Sequence, residues 1–233
     1  QHITFVRRSG LKATSGRAAI IIDDFGYVYN DLVKEFLVFQ APLTISIIPG
    51  LEESKRVARD ANLAGREIFV HMPMEPENEK FSDEGYTIVT GQDAGTIRLR
   101  VRSAFAFLPH AIGMNNHQGS RVTCDRAIMK EVMKEVKRQN KLFVDSRTSP
   151  TSVALETARS LHIRAAANQI FIDAEDDKDF IRSQMNKLAD LAAREGRVIG
   201  IAHMRKRTLQ VLQEMVPDLQ VRGVEFVYIS ALL

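Results

Sequence analysis

Short apolar runs rich in β-branched residues recur along the whole chain, and they restrict its fold more than any other feature. They are Ala18 to Ile22, Ile45 to Ile48, Ile68 to Val70, Ala111 to Met114, Leu142 to Val144, Ile170 to Ile172, Val198 to Ile201 and Phe226 to Ile229. The runs are almost wholly apolar rather than alternating, which is how strands buried on both faces read. Their centres lie about 23 to 43 residues apart, close to the roughly 30 of a βαβ unit. Helical patterns fill the gaps. Asp125 to Gln139 sets Ile128, Met129, Val132, Met133 and Val136 on one face, and Phe180 to Ala192 does the same with Ile181, Met185, Leu188 and Ala192. Thr123 before Asp125, and Ser149-Pro150 before the segment around Ala154, are helix-start signals. The alternation predicts an α/β fold with parallel strands in one domain over residues 17–233, as a closed (β/α) barrel or an open doubly wound sheet. The longest step contains the polar stretch Pro73 to Gly91, which reads as a loop over the site.

Charge needs to be located before it is interpreted. The 233 residues carry a formal +3, yet Arg7, Arg8, Lys12 and Arg17 stand in the first 17 residues with no acid. The remainder holds 28 bases against 29 acids. Residues 1–16 therefore read as a basic arm on a near-neutral body, which gives no reason to expect nucleic acid. No apolar run approaches the roughly 20 residues that cross a bilayer, so no integral membrane segment is expected. The chain begins at Gln1 without a signal-peptide core, which leaves a processed amino terminus as an expectation. Cys124 has no partner cysteine and reads as a small core residue.

Parallel α/β folds carry their sites at the carboxyl ends of strands. The residues that follow the apolar runs here are Asp23-Asp24, His71, Asn115-Asn116-His117, Asp145-Ser146-Arg147, Asp173 and His203. Two carboxylates leaving a buried strand need a cation or strong hydrogen bonds. Because neighbouring strand residues point to opposite sides, the pair suits divided roles, one acid on a metal and the other positioning or deprotonating water. His71 and His117 with one carboxylate make a three-ligand catalytic metal set. His203 suits ligation or proton donation. Asp145 and Arg147 suggest orientation of a catalytic carboxylate or stabilisation of developing charge, and Asn115, Asn116 and Arg121 suggest contacts to substrate. His110 and His162 lie at the opposite rim and read as structural or exposed.

The strings Ile21-Ile22-Asp23-Asp24-Phe25-Gly26, His71-Met72-Pro73-Met74-Glu75-Pro76, Gly113-Met114-Asn115-Asn116-His117-Gln118-Gly119-Ser120-Arg121, Phe143-Val144-Asp145-Ser146-Arg147-Thr148 and Ile199-Gly200-Ile201-Ala202-His203 together resemble the divergent polysaccharide deacetylase family. That family is an offshoot of the polysaccharide deacetylase (carbohydrate esterase family four) superfamily. The resemblance implies a single-domain distorted (β/α) barrel of seven to eight parallel strands and a divalent metal, most often zinc, that serves to hydrolyse acetyl groups on a sugar polymer. It implies Asp23 as catalytic base, Asp24 as metal ligand and His203 as assisting acid, with an acetylated carbohydrate as substrate and a periplasmic or extracellular location. Members of the superfamily hold the metal with a His-x-x-x-His pair, which this sequence lacks, so His71 and His117 stand as the replacements. Asn168-Gln169 precedes Ile170 to Asp173 where the resemblance leads one to expect Arg-Asp. Two other expectations remain open: a barrel that has lost turnover and binds a carbohydrate or envelope partner, and a phosphodiesterase or amidohydrolase in which Arg147 and Arg121 read phosphate.

Overall fold

The computed structural model describes residues 16–78 and 85–233. Nine strands are present among them: β1 (Gly16–Phe25), β2 (Thr44–Ile47), β3 (Glu67–Met74), β4 (Gly113–Gln118), β5 (Leu142–Asp145), β6 (Ala165–Ala167), β7 (Ile170–Phe171), β8 (Arg197–His203) and β9 (Val224–Phe226). The helices are α1 (Asp31–Leu37), α2 (Ser54–Leu63), α3 (Ala94–Phe107), α4 (Arg126–Arg138), α5 (Ala154–Ser160), α6 (Lys178–Glu195) and α7 (Lys206–Val221). The strand order is β6-β5-β4-β3-β2-β1-β8-β7, every pair is parallel, and β9 adds to the start of β1. One segment serves both edges of this sheet. Its Asn168 N–H donates to Asp145 O and the next N–H, of Gln169, donates to Ile199 O, so the chain steps from β5 across to β8. The distorted barrel expected from the sequence is the result.

Two apolar layers hold it together. The larger lies between strands and helices. The smaller joins Ala19 and Ile21 of β1, Phe69 of β3, Leu142 and Val144 of β5, Ile199 and Ile201 of β8, and Ile229 and Leu232 near the carboxyl terminus. Strands that are not neighbours in the sheet meet here, so this cluster is the barrel interior. Gly113 is required by it, because a Cβ there would lie 2.6 Å from the Phe69 ring. Each strand alternates between the two layers, which decides where its polar residues go. Asp23 continues the inward series Ala19-Ile21, His71 continues Phe69, Asn115 and His117 continue Gly113, Ser146 continues Leu142-Val144, and His203 continues Ile199-Ile201.

The strands differ from the apolar runs in instructive ways. β3 and β4 run on past theirs, so His71, Asn115, Asn116 and His117 lie within strands rather than after them. β6 is Ala165–Ala167, too weakly apolar to stand out, and the last run yields only Val224–Phe226, with Ile229 opening a short 3-10 turn. Pro73 to Gly91 is not simply a loop. Pro73 and Met74 belong to β3, and Ile88 bonds to both Pro73 O and Glu75 N–H. Residues 79–84 of that stretch, and 1–15 of the basic arm, lie outside the described residues, while Gly16 begins β1. The α4 start lies at Asp125, whose carboxylate accepts from Ala127 and Ile128 N–H, rather than at Thr123. Among the described residues no helix is long and apolar enough to cross a membrane.

Candidate active site

The cleft at the carboxyl ends of the strands has a volume of about 210 Å³ and is lined by Asp23, Asp24, His71, Asn116, His117 and His203, with Pro76, Gln118, Ser120, Ser146, Thr148 and Phe171 around them. Ideal strand alternation would send Asp24 away from it. The β1 register shifts between Ile22 and Phe25, and Asp24 adopts φ +67, a left-handed conformation uncommon outside glycine. That bulge turns Asp24 back to the same side as Asp23. The expectation that the two acids face opposite ways is corrected: His71 Nε2 lies 3.5 Å from Asp23 Oδ2 and 3.4 Å from Asp24 Oδ1.

His71 and His117 sit on adjacent strands, His117 opposite Pro73 in the register, and their rings pack edge to face. His117 Nδ1 is 3.1 Å from His71 Nε2 and 3.3 Å from Asp24 Oδ1. Three donor atoms thus form a triangle with sides of 3.1 to 3.4 Å. A tetrahedral zinc ion with bonds of about 2.0 to 2.1 Å sets its ligands roughly 3.3 Å apart. Asp24 Oδ1 is a buried oxygen that no hydrogen bond satisfies. A buried unpaired carboxylate oxygen facing two imidazole nitrogens is the donor set that a divalent cation completes, and the residues fit one.

The electrostatics match this arrangement. Burial pushes the Asp24 carboxyl up, but His117 and His71 outweigh it and hold it well below the usual carboxylate range. For Asp23 burial wins over the nearby imidazoles, and its pKa is raised. Two adjacent carboxyls are thereby pushed in opposite directions, as division of labour between ligand and base requires.

On the far wall, His203 Nδ1 is 2.7 Å from Asp173 Oδ1, and His203 N–H donates to Asp173 Oδ2. Thr208, at the start of α7, donates its hydroxyl to the same oxygen at 2.6 Å. Burial disfavours the imidazolium, but Asp173 more than compensates and His203 is held above its ordinary pKa. Asp173, which the sequence left without a clear role, is the partner that orients His203.

Other expected residues are placed elsewhere. Asp145 is fully buried and points out of the barrel, because it falls on the other parity from Val144 and Ser146. Its oxygens accept from Arg147 N–H and Ser152 Oγ. Arg147 follows with φ +59 and an exposed side chain that does not line the cleft. Neither reaches the reacting centre. Arg121 also lies outside the cleft, paired with Glu75 at 3.3 Å and donating to Glu77 O, where it ties the wall carrying Pro76 to the turn after β4. Asn115 is buried behind the cleft, whereas Asn116 lines it, with its amide bonded to Gln118 O and Ser146 N–H. Cys124 is half-buried and outside the cleft, and His110 and His162 are exposed. Ser46 and Thr208 were passed over, although a serine interrupting Ile45 to Ile48 at an inward position was a usable signal.

Comparison with known proteins agrees with the fold. The uncharacterized protein YibQ of Escherichia coli (strain K12) is 32% identical over 206 residues, which is 88% of this chain and 64% of that protein. The chain thus spans a little under two thirds of that relative. The structure of the uncharacterized protein ATU2773 of Agrobacterium tumefaciens C58 superposes with a TM-score of 0.87 at 23% identity, over 97% of this chain and 92% of that one. Bacillus subtilis PdaA, a family 4 carbohydrate esterase, shares the fold at a TM-score of 0.55 and 13% identity, over 94% and 81% of the two chains. The family model for divergent polysaccharide deacetylase matches residues 20–233, and the chain belongs to that family.

Proposed function

We propose that this cleft removes acetyl groups from a carbohydrate of the cell envelope or of an extracellular polymer, in a periplasmic or extracellular setting, with a divalent cation held by Asp24, His71 and His117. The unpartnered Asp24 Oδ1 facing the two imidazoles carries this reading. Two nitrogens and one carboxylate oxygen are the ligand type of catalytic zinc. When bound, the cation supplies Lewis acidity to the acetyl carbonyl and to water. Asp23, buried with its pKa raised, takes the proton from the attacking water. His203, kept protonated by Asp173, hands a proton to the departing amine or alcohol. Asn116, Gln118, Ser146 and Thr148 offer hydrogen bonds to sugar hydroxyls along the wall, and Phe171 offers an apolar surface. The phosphate-reading alternative loses its support, since Arg147 and Arg121 lie outside the cleft.

The test is zinc content together with acetate release. Purified protein is expected to bind one zinc and to release acetate from acetylated chito-oligosaccharides or peptidoglycan fragments. Zinc binding without acetate release on any such substrate would favour a binding module, and unchanged zinc content in Asp24→Asn would overturn the ligand set.

A further inference from the structure

Asn115 stands on β4 within hydrogen-bond reach of both Asp23 of β1 and His71 of β3, and it is wholly buried. Its Oδ1 accepts from the Ser46 hydroxyl at 2.6 Å and faces His71 Nδ1 at 3.1 Å. Its Nδ2 donates to Asp23 Oδ1 at 2.9 Å and Oδ2 at 3.1 Å, and to Ser146 Oγ at 3.2 Å. Ser146 can accept there because its own hydroxyl proton is given to Asn116 O. The two ends of this amide are not interchangeable. Turned over, its oxygen would face the two carboxylate oxygens of Asp23, which only accept, and its NH2 would displace the Ser46 donor. With Oδ1 thus fixed toward His71, Nδ1 of the neutral imidazole must carry the proton, since two acceptors do not share a 3.1 Å contact. Nε2, which faces Asp24 Oδ1, Asp23 Oδ2 and His117 Nδ1, is then the nitrogen left for a cation, which takes the place of any proton held there.

We infer that Asn115 is a positioning residue: through one amide, the carboxylate of Asp23 imposes the Nδ1–H tautomer on His71 and so readies Nε2 as a cation ligand. The base and the ligand set are thereby coupled, although Asp23 touches no cation in this scheme. The inference deepens the proposed function and rests on it for the cation, but the proton on Nδ1 is a property of the protein alone.

The experiment uses the full chain labelled with 15N histidine, long-range 1H–15N correlation spectra, and calorimetric titration with Zn2+. The wild type is expected to show His71 with Nδ1 protonated both with and without Zn2+, and with no proton on Nε2 in the Zn2+ complex. Asn115→Leu is expected to weaken Zn2+ binding about 10 to 100-fold, the usual cost of losing the group that orients a ligating histidine. Asp23→Asn frees the amide to turn over, and is expected to weaken Zn2+ about 10-fold and mix the His71 tautomers. Asn115→Asp keeps an acceptor toward His71, so Zn2+ affinity holds while turnover falls from the like charge beside Asp23. A wild-type His71 with Nδ1 unprotonated, or Zn2+ affinity unchanged in both Asn115→Leu and Asp23→Asn, would overturn the inference. If Asn115→Leu does not fold, Asp23→Asn and the wild-type spectrum decide the matter. If the wild type binds no Zn2+, the proposed function fails while the tautomer still judges the role of Asn115.

Discussion

The two ends of the barrel are both polar and both hollow, yet only one carries convergent chemistry. Toward the amino-terminal rim of β8, at the seam with β6, a cavity of about 320 Å³ is lined by Arg159, Glu195, Arg197, Gln169 and Leu232 among others. It is larger than the cleft that holds the acids and imidazoles, at about 210 Å³. Several of its polar groups are engaged in holding the chain: Arg197 donates to Leu232 O, and Gln169 bridges Glu195 and the Ile199 N–H. At the opposite end the polar groups converge instead, and Asp24 Oδ1 is left without a donor. Size does not separate a site from a structural hollow. What separates them is that in one the acids and imidazoles converge on a common point with an oxygen that no hydrogen bond satisfies, an arrangement a cation would complete.

The sharpest way to break this contrast is His117→Ala, which removes a proposed ligand without touching the interior core. Acetate release is expected to fall by about 10³-fold or more, with bound zinc lost by elemental analysis. Retained zinc and turnover would place the chemistry elsewhere.

Asp173→Asn tests the far wall of the cleft and is expected to reduce kcat about 10²-fold. The raised pKa of His203 keeps it protonated to higher pH than an ordinary histidine, so the alkaline limb of the wild-type rate profile lies above the usual histidine value. Without Asp173 that limb moves toward acid, and an unmoved limb would separate His203 from acid catalysis. The same pair has a stability signature. Asp173 is depressed, so its contribution is present above the ordinary carboxylate pKa of about 4 and is lost as pH falls through its folded value. His203 is raised, so its contribution is full below about 6.5 and is lost as pH rises through its folded value. Thermal unfolding should therefore show the largest difference between wild type and Asp173→Asn between about pH 4 and 6.5.

At the other end, Leu232→Ala is expected to lower unfolding free energy by about 2 to 3 kcal/mol in denaturant, through the cavity it leaves in the barrel interior. Zinc affinity should not change, and a parallel loss of zinc would mean that the two ends are coupled. The smallest effect is expected for Arg147→Ala, whose exposed side chain leaves kcat/KM within about two-fold of wild type.

The parallel architecture was readable because strands buried on both faces advertise themselves as nearly unbroken apolar runs, and β1, β2, β5 and β8 begin or end within two residues of theirs. β6 was not readable, since three alanines carry little apolar signal and its place is decided by its pairing with the edge of β5. Among site residues, Asp23, Asp24, His71, His117 and His203 were visible as polar residues that end apolar strands, and the structure gathers all of them in one cleft. Asp145 was visible for the same reason and faces the other way. A polar residue at a strand end is half of the information, and the parity that aims it is the other half.

What the sequence by itself determined is a succession of parallel strands and a set of carboxylates, imidazoles and amides at one end of them, because apolar periodicity and residue type are local properties. Only the tertiary structure decided which of these groups meet. The left-handed turn at Asp24 brings it back beside Asp23, alternation carries Asp145 out of the barrel, and burial makes Asn115 a link between Asp23 and His71 rather than a contact to substrate. Those outcomes depend on register, backbone conformation and the partners supplied by other strands, and each is settled only when the sheet curls and its strands face one another across the axis.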